Sequence, residues 1–102
     1  MSRLEQLRKL AEIEPDDPMS HYGVGLECVN REMWIDAIGA FERALRADAG
    51  YCAAYYHKAR AELAAERSDD ARRTLDTGMR CAADVADEKT LAEMRELLES
   101  IA

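Results

Sequence analysis

Few side chains in this sequence could do metal or nucleophilic chemistry: Cys28, Cys52, Cys81, His21 and His57. A structural zinc site asks for four ligands, usually in close sequence pairs, and no two of these five stand three or four residues apart on a helix. They predict no metal centre. Stepping Cys81 back by 34 residues reaches Ala47 and then Ile13, so the cysteines read as small buried hydrophobes on three separate helices. Asp16 with Asp17, and Asp69 with Asp70, look like hydrolase carboxylates only in isolation. Each pair falls at a helix start, where the helix dipole favours negative charge anyway. No glycine-rich phosphate loop, GxSxG or HExxH occurs. The residues therefore predict no enzyme and no cofactor.

Charge narrows the partners. The chain carries 21 acidic against 14 basic residues, a net charge of −7, and the acids are interspersed throughout. Phosphate binding needs Lys and Arg clustered on one face, so nucleic acid is not an expected partner. The acidic coat reads as a solubilising surface. The opening MSRLEQLRKL has no apolar signal-like stretch, no run is long enough to cross a membrane, and the three cysteines lack CxxC spacing. A cytoplasmic setting is the expectation.

The elements that would position any site are all helices. Ala, Leu, Glu and Arg dominate, only two prolines are present, and no alternating strand-like run appears. A first helix is expected over residues 2–14, with Leu4, Leu7, Leu10, Ala11 and Ile13 on its inner face, stopped by Pro15. Asp17 caps a second that starts at Pro18 and ends near Asn30 or Arg31. The third is expected over 34–47, buries Trp34, Ala37, Ile38, Phe41, Ala44 and Leu45, and ends at Gly50 in a left-handed cap. A fourth over 51–66 follows. Ser68 caps a fifth, which runs to about Ala82, and Asp87 caps a sixth over 88–101, with Leu91, Met94, Leu97, Leu98 and Ile101 on one side.

These helices repeat at a step of 34 residues. Gly25 recurs as Ala59, Ala37 as Ala71, Phe41 as Leu75, Ala44 as Gly78 and Leu45 as Met79. A period of about 34 with two helices per unit marks a stacked helical array. The chain resembles the tetratricopeptide repeat family in the small residue of helix A (Gly25, Ala59), the alanine of helix B (Ala37, Ala71), the large apolar residue one turn on (Phe41, Leu75) and the second small residue (Ala44, Gly78). The resemblance implies an all-α fold of about six helices, antiparallel helix-turn-helix repeats stacked as a short right-handed superhelix. It divides the single domain into a half repeat over 1–17, repeats over 18–51 and 52–85, and a capping helix over 86–102. The alternative is a generic four- or six-helix bundle. Departures fall mainly in the second repeat. Glu32 and Glu66 stand where the family has a turn glycine, Lys58 and Glu62 replace Val24 and Cys28, and Ser68 replaces Trp34.

The family likeness also implies a function, a protein-interaction module or adaptor whose A helices line a concave groove for a peptide or helix of a partner. The residues that map there are Met19, Tyr22, Leu26, Val29 and Asn30, then Ala53, Tyr56, Arg60, Leu63 and Ala64, with Thr90 and Met94 extending the wall. Tyr22 and Tyr56, one step apart, are expected to stack along one face. Tyr and Arg are enriched where binding energy concentrates, and the expected partner is a protein or peptide with apolar and acidic side chains. Chaperone-binding members clamp a terminal carboxylate with Lys and Asn, whereas Tyr22 and Leu26 stand at the corresponding sites here. The competing reading of the tyrosines is packing between helices. The alternative function is a homo-oligomeric assembly element, such as a homodimer, pairing through the edge of the first helix, where Leu4, Leu7 and Leu10 have one obvious partner helix.

Overall fold

The computed structural model describes residues 1–101. Among them are six helices and no strand: α1 (Arg3–Ile13), α2 (Pro18–Asn30), α3 (Trp34–Ala47), α4 (Cys52–Ala64), α5 (Ser68–Asp84) and α6 (Glu88–Ile101). Consecutive helices pack antiparallel. Beyond that, α4 touches both α2 and α6, so α2, α4 and α6 form one layer and α1, α3 and α5 the other.

Local chemistry sets most boundaries. Ser2, Asp17 and Asp87 each accept a bond from a backbone N–H of the first turn that follows them, at 3.2, 3.0 and 3.2 Å. Two expected boundaries are different. Ser68 is the first residue inside α5, and the capping position belongs to Arg67, which makes no side-chain cap bond. Gly50 does not end α3 in a left-handed conformation. The helix stops at Asp48 in an extended conformation, and the Asp48 carboxylate accepts from the Gly50 N–H at 2.9 Å.

The left-handed positions lie elsewhere and carry no glycine: Glu32, Glu66 and Ala86, with φ of 57°, 62° and 58°. Each closes a helix by the same paired bonds. Met33 N–H reaches Cys28 C=O at 2.8 Å and Glu32 N–H reaches Val29 C=O at 3.0 Å; Arg67 to Glu62 and Asp87 to Ala82 repeat the longer-range bond, both at 2.8 Å. The closed hydrogen-bond pattern holds a backbone shape that an L side chain disfavours.

Phe41 and Leu75, the equivalent large residues, are fully buried at the centres of two clusters. The first gathers Val24, Cys28, Ala37, Ile38 and Phe41. The second gathers Ala59, Ala71, Leu75, Ala82 and Met94. Close approach depends on glycine at two points: a Cβ on Gly25 would sit 2.4 Å from the Phe41 ring, and one on Gly78 would sit 2.5 Å from Tyr55 Cβ. On α1, Leu4 and Ala11 are buried and Leu7 half-buried, but Leu10 is 44% and Ile13 75% exposed, which corrects the expected inner face. The helix turns those two residues away from α2. Ala47, one repeat step from Ile13, is likewise exposed, so that register is not a core position.

Candidate functional site

The residues expected to line a groove fall into distinct environments. On α2, Met19 and Asn30 are exposed at its two ends, while Leu26 and Val29 are half-buried against the first core. On α4, Ala53, Tyr56 and Leu63 are half-buried, and Arg60 and Ala64 are exposed. On α6, Thr90 is buried beside its cap and Met94 is fully buried, its sulfur lying over Gly78. Met94 thus belongs to the second core and is not part of a groove wall. The close approach that Gly78 permits draws α6 onto α5 and carries the methionine inward.

Tyr22 and Tyr56 do not stack directly on one another. His57 lies between them, with ring centroids 5.7 Å from Tyr22 and 5.2 Å from Tyr56, both edge-on. Tyr22 also meets Phe41 at 5.9 Å and Tyr51 at 5.0 Å. The outcome for Tyr22 is largely the packing alternative, with a half-exposed face left over. Burial raises its hydroxyl pKa above the usual tyrosine value, as do the nearby Tyr51 and the Glu93 carboxylate. Burial and the Arg60 guanidinium lower the pKa of His57, against the opposing charge of Glu93. Both effects favour the neutral imidazole.

Arg60 projects one turn beyond Tyr56 with its guanidinium 5.8 Å from that ring. This is a cation–π arrangement that orients the fork without an acid. Among the described residues Arg3, Arg8, Arg31, Arg72, Arg73 and Arg80 make ion pairs, and Arg60, like Arg43, Arg46, Arg67 and Arg95, makes none; of these five only Arg60 lies over an aromatic ring. Sequence reasoning missed His57 and Glu93 as members of this surface. By residue type the histidine suggests only a metal ligand or nucleophile, yet its ring packs edge-on against both Tyr56 of α4 and Tyr22 of α2.

The opposite layer has a cleft of about 340 Å³ between α1 and α3, lined by Arg8, Glu12, His21, Ile35 and Arg43 among others. His21 has its Nε2 2.7 Å from the Pro15 carbonyl, a contact that ties α2 to the preceding turn. No group of three His, Cys, Asp or Glu gathers at metal-binding distance among the described residues. The cysteines depart from expectation in one respect. Cys28 is buried in the first core, but Cys52 and Cys81 meet across α4 and α5 with sulfurs 3.0 Å apart. The repeat arithmetic compared positions along the chain and could not show a contact across it. No described helix is long and apolar enough to cross a membrane.

Comparison with known proteins agrees with the geometry. No curated protein matches the sequence. Among solved structures, the TPR2B domain of yeast Sti1 in complex with pHsp70 superposes with a TM-score of 0.91 at 20% identity, over 96% of this chain and 78% of that one. A tetratricopeptide repeat domain protein from Salinibacter ruber gives 0.77 at 26% identity, over 83% and 94%. A protein from Bordetella parapertussis gives 0.85 at 18% identity, over 99% and 88%. The fold is one that generally mediates protein–protein interaction. The tetratricopeptide repeat model matches residues 32–94, more than half of the sequence, and with the paired helices and the small residues at their crossings the chain belongs to the tetratricopeptide repeat family.

Proposed function

We propose that this protein is an adaptor that holds an apolar, acidic segment of a partner protein against the layer made by α2, α4 and α6. The observation that carries the reading is the exposed Arg60 guanidinium, set over Tyr56 and without a carboxylate of its own. Around it lie Leu63 and Ala53 on α4 and the remaining face of Tyr22 on α2, an apolar surface with one oriented cation and, on its α6 side, the Glu93 carboxylate. A fork of this kind pairs bidentately with a carboxylate, and a ring beneath it supplies contact area at low entropic cost. Family membership and the fold shared with the Sti1 domain, itself seen with pHsp70, favour a protein segment as ligand. Tyr22 and Leu26 occupy the positions where a terminal-carboxylate clamp would need Lys and Asn, so an internal acidic side chain is the favoured contact.

The test is titration of fluorescent peptides that pair Leu or Phe with one Asp or Glu, beside the same peptides carrying Asn or Gln. Arg60→Glu removes the preference for the acidic peptide, and Tyr56→Ala weakens binding by roughly tenfold, corresponding to about 1 to 2 kcal/mol. Equal binding of acidic and neutral peptides by the unaltered protein overturns the reading.

A second reading, self-association through α1, is favoured by the exposure of Leu10 at 44% and Ile13 at 75% on one helix. Molecular mass in solution decides it. A dimer that Ile13→Glu dissociates supports pairing at this edge, and a monomer at high concentration removes it.

A further inference from the structure

Two thiols 29 residues apart in sequence meet where the start of α4 faces the end of α5, with Cys52 Sγ and Cys81 Sγ at 3.0 Å. Both are free, Cys52 is buried and Cys81 half-buried. The surrounding backbone completes a small cluster. Cys81 Sγ donates to the Ala49 carbonyl at 3.5 Å, the Tyr55 hydroxyl donates to the same carbonyl at 3.0 Å, and Cys52 Sγ donates to the Gly50 carbonyl at 3.4 Å. These contacts hold the turn before α4 against the back of α5. Each sulfur has the other as its neighbour, and Cys28 lies fully buried in the other core.

We propose that Cys52 and Cys81 are a reactive thiol pair that a hydroperoxide converts into a disulfide joining α4 to α5. Cys81 is the more accessible sulfur. Burial, together with the hydrogen bond and charge of Cys81, pushes the Cys52 thiol up to about 12, and Cys52 is sealed while Cys81 is half-exposed, so Cys81 is the sulfur that meets the oxidant. Its thiolate attacks one oxygen of hydrogen peroxide, the O–O bond breaks, and the departing hydroxide takes up a proton as water, leaving Cys81 as a sulfenic acid. The Cys52 sulfur then attacks the Cys81 sulfur. The S–OH bond breaks, and the hydroxide leaves as a second water with the Cys52 proton. Two thiols have lost two electrons and one peroxide has become two waters. The second step needs no search for a partner, because the Cys52 sulfur already stands 3.0 Å from the oxidised one.

The experiment treats the full chain with hydrogen peroxide and counts thiols after denaturation. The expected result is a fall from three thiols to one, a mass lower by two hydrogens, and a single peptide linking Cys52 to Cys81. The melting temperature rises by about 10 °C, because the bridge constrains the unfolded chain over a long loop, and dithiothreitol reverses the change. Cys28→Ala loses both of its remaining thiols in the same way, while Cys81→Ser keeps its two. Three surviving thiols, Cys81 arrested as a sulfinic acid, linkage through Cys28, or bridges only between separate chains would each overturn the proposal.

Discussion

The hydroxyl of Thr74 donates a 2.6 Å hydrogen bond to the carboxyl of Glu62, and both side chains are buried where α4 packs on α5. One repeat earlier the same places hold Cys28 and Ala40, both in the first core. The second repeat has exchanged an apolar contact for a polar pair. A buried carboxyl is tolerable only with such a partner, and Lys58 adds a compensating charge while it also pairs with Glu42 at 3.6 Å.

That pair makes stability depend on pH. Burial holds the Glu62 carboxyl pKa above its ordinary value of 4.5, against the opposing Thr74 bond and Lys58, and with Asp70 and Glu42 adding to the rise. The folded state therefore binds this proton more tightly than the unfolded state. Its contribution is fully present below the ordinary value and is lost as pH rises through the raised folded one. Denaturant midpoints should fall over that window, and Glu62→Gln should remove the fall. Thr74→Val, which leaves the carboxyl without its donor, should cost about 1 to 3 kcal/mol at neutral pH.

Phe41→Ala should cost about 3 to 5 kcal/mol, since the ring is fully buried and its removal leaves a cavity. Gly25→Ala should cost about 1 to 3 kcal/mol, because the new methyl would meet that ring at 2.4 Å. Combined with Phe41→Leu, the glycine change should cost less than it does alone. Thermal unfolding of the four proteins in this cycle would measure the coupling, and strict additivity would mean that the helices do not cross at this pair.

Glu66→Gly should stabilise the protein by up to about 1 kcal/mol. Its φ of 62° is a conformation glycine adopts freely, and relief of that strain outweighs the extra freedom glycine gives the unfolded chain. Ala86→Gly, at φ 58°, should act in the same direction. Calorimetric melting of both variants is a sufficient check.

Tyr22→Ala and Tyr56→Ala should separate packing from binding. Tyr22 touches Phe41, Tyr51 and His57, so its truncation should cost stability, by about 2 kcal/mol or more. Tyr56 packs on His57 and carries Arg60, so its loss should fall more heavily on ligand affinity than on the melting temperature. Parallel melting and peptide titration distinguish the two.

The parts of the fold written in local chemistry were readable from the residues. The third helix buries Ala37, Ile38, Phe41 and Ala44 at the expected helical spacing, and Asp17 and Asp87 announce the starts of α2 and α6 by the side-chain oxygen each offers to the next turn. Gly50 and Ser68 misled because each type favours a cap in general, while the backbone here found its cap at Asp48 and Arg67. Depth was harder to read than direction. Met94 and Arg60 both sit on helices of the same layer, yet only packing of α6 on Gly78 determines that one is sealed and the other free. The meeting of Cys52 with Cys81, and of His57 with two tyrosines, depends on the crossing of helices and leaves no trace in spacing.

The fourth helix faces two ways. Ala54 and Ala61 belong to the core around Phe41, while Cys52 and Ala59 belong to the core around Leu75. Small side chains on both flanks let neighbouring helices close in from either side, so α4 is a shared wall. Cutting the molecule before it would strip the first core of its cover, and cutting after it would strip the second. The two clusters should consequently melt together, with hydrogen exchange along α3 and α5 tracking a single opening event, and neither half should fold when expressed without α4.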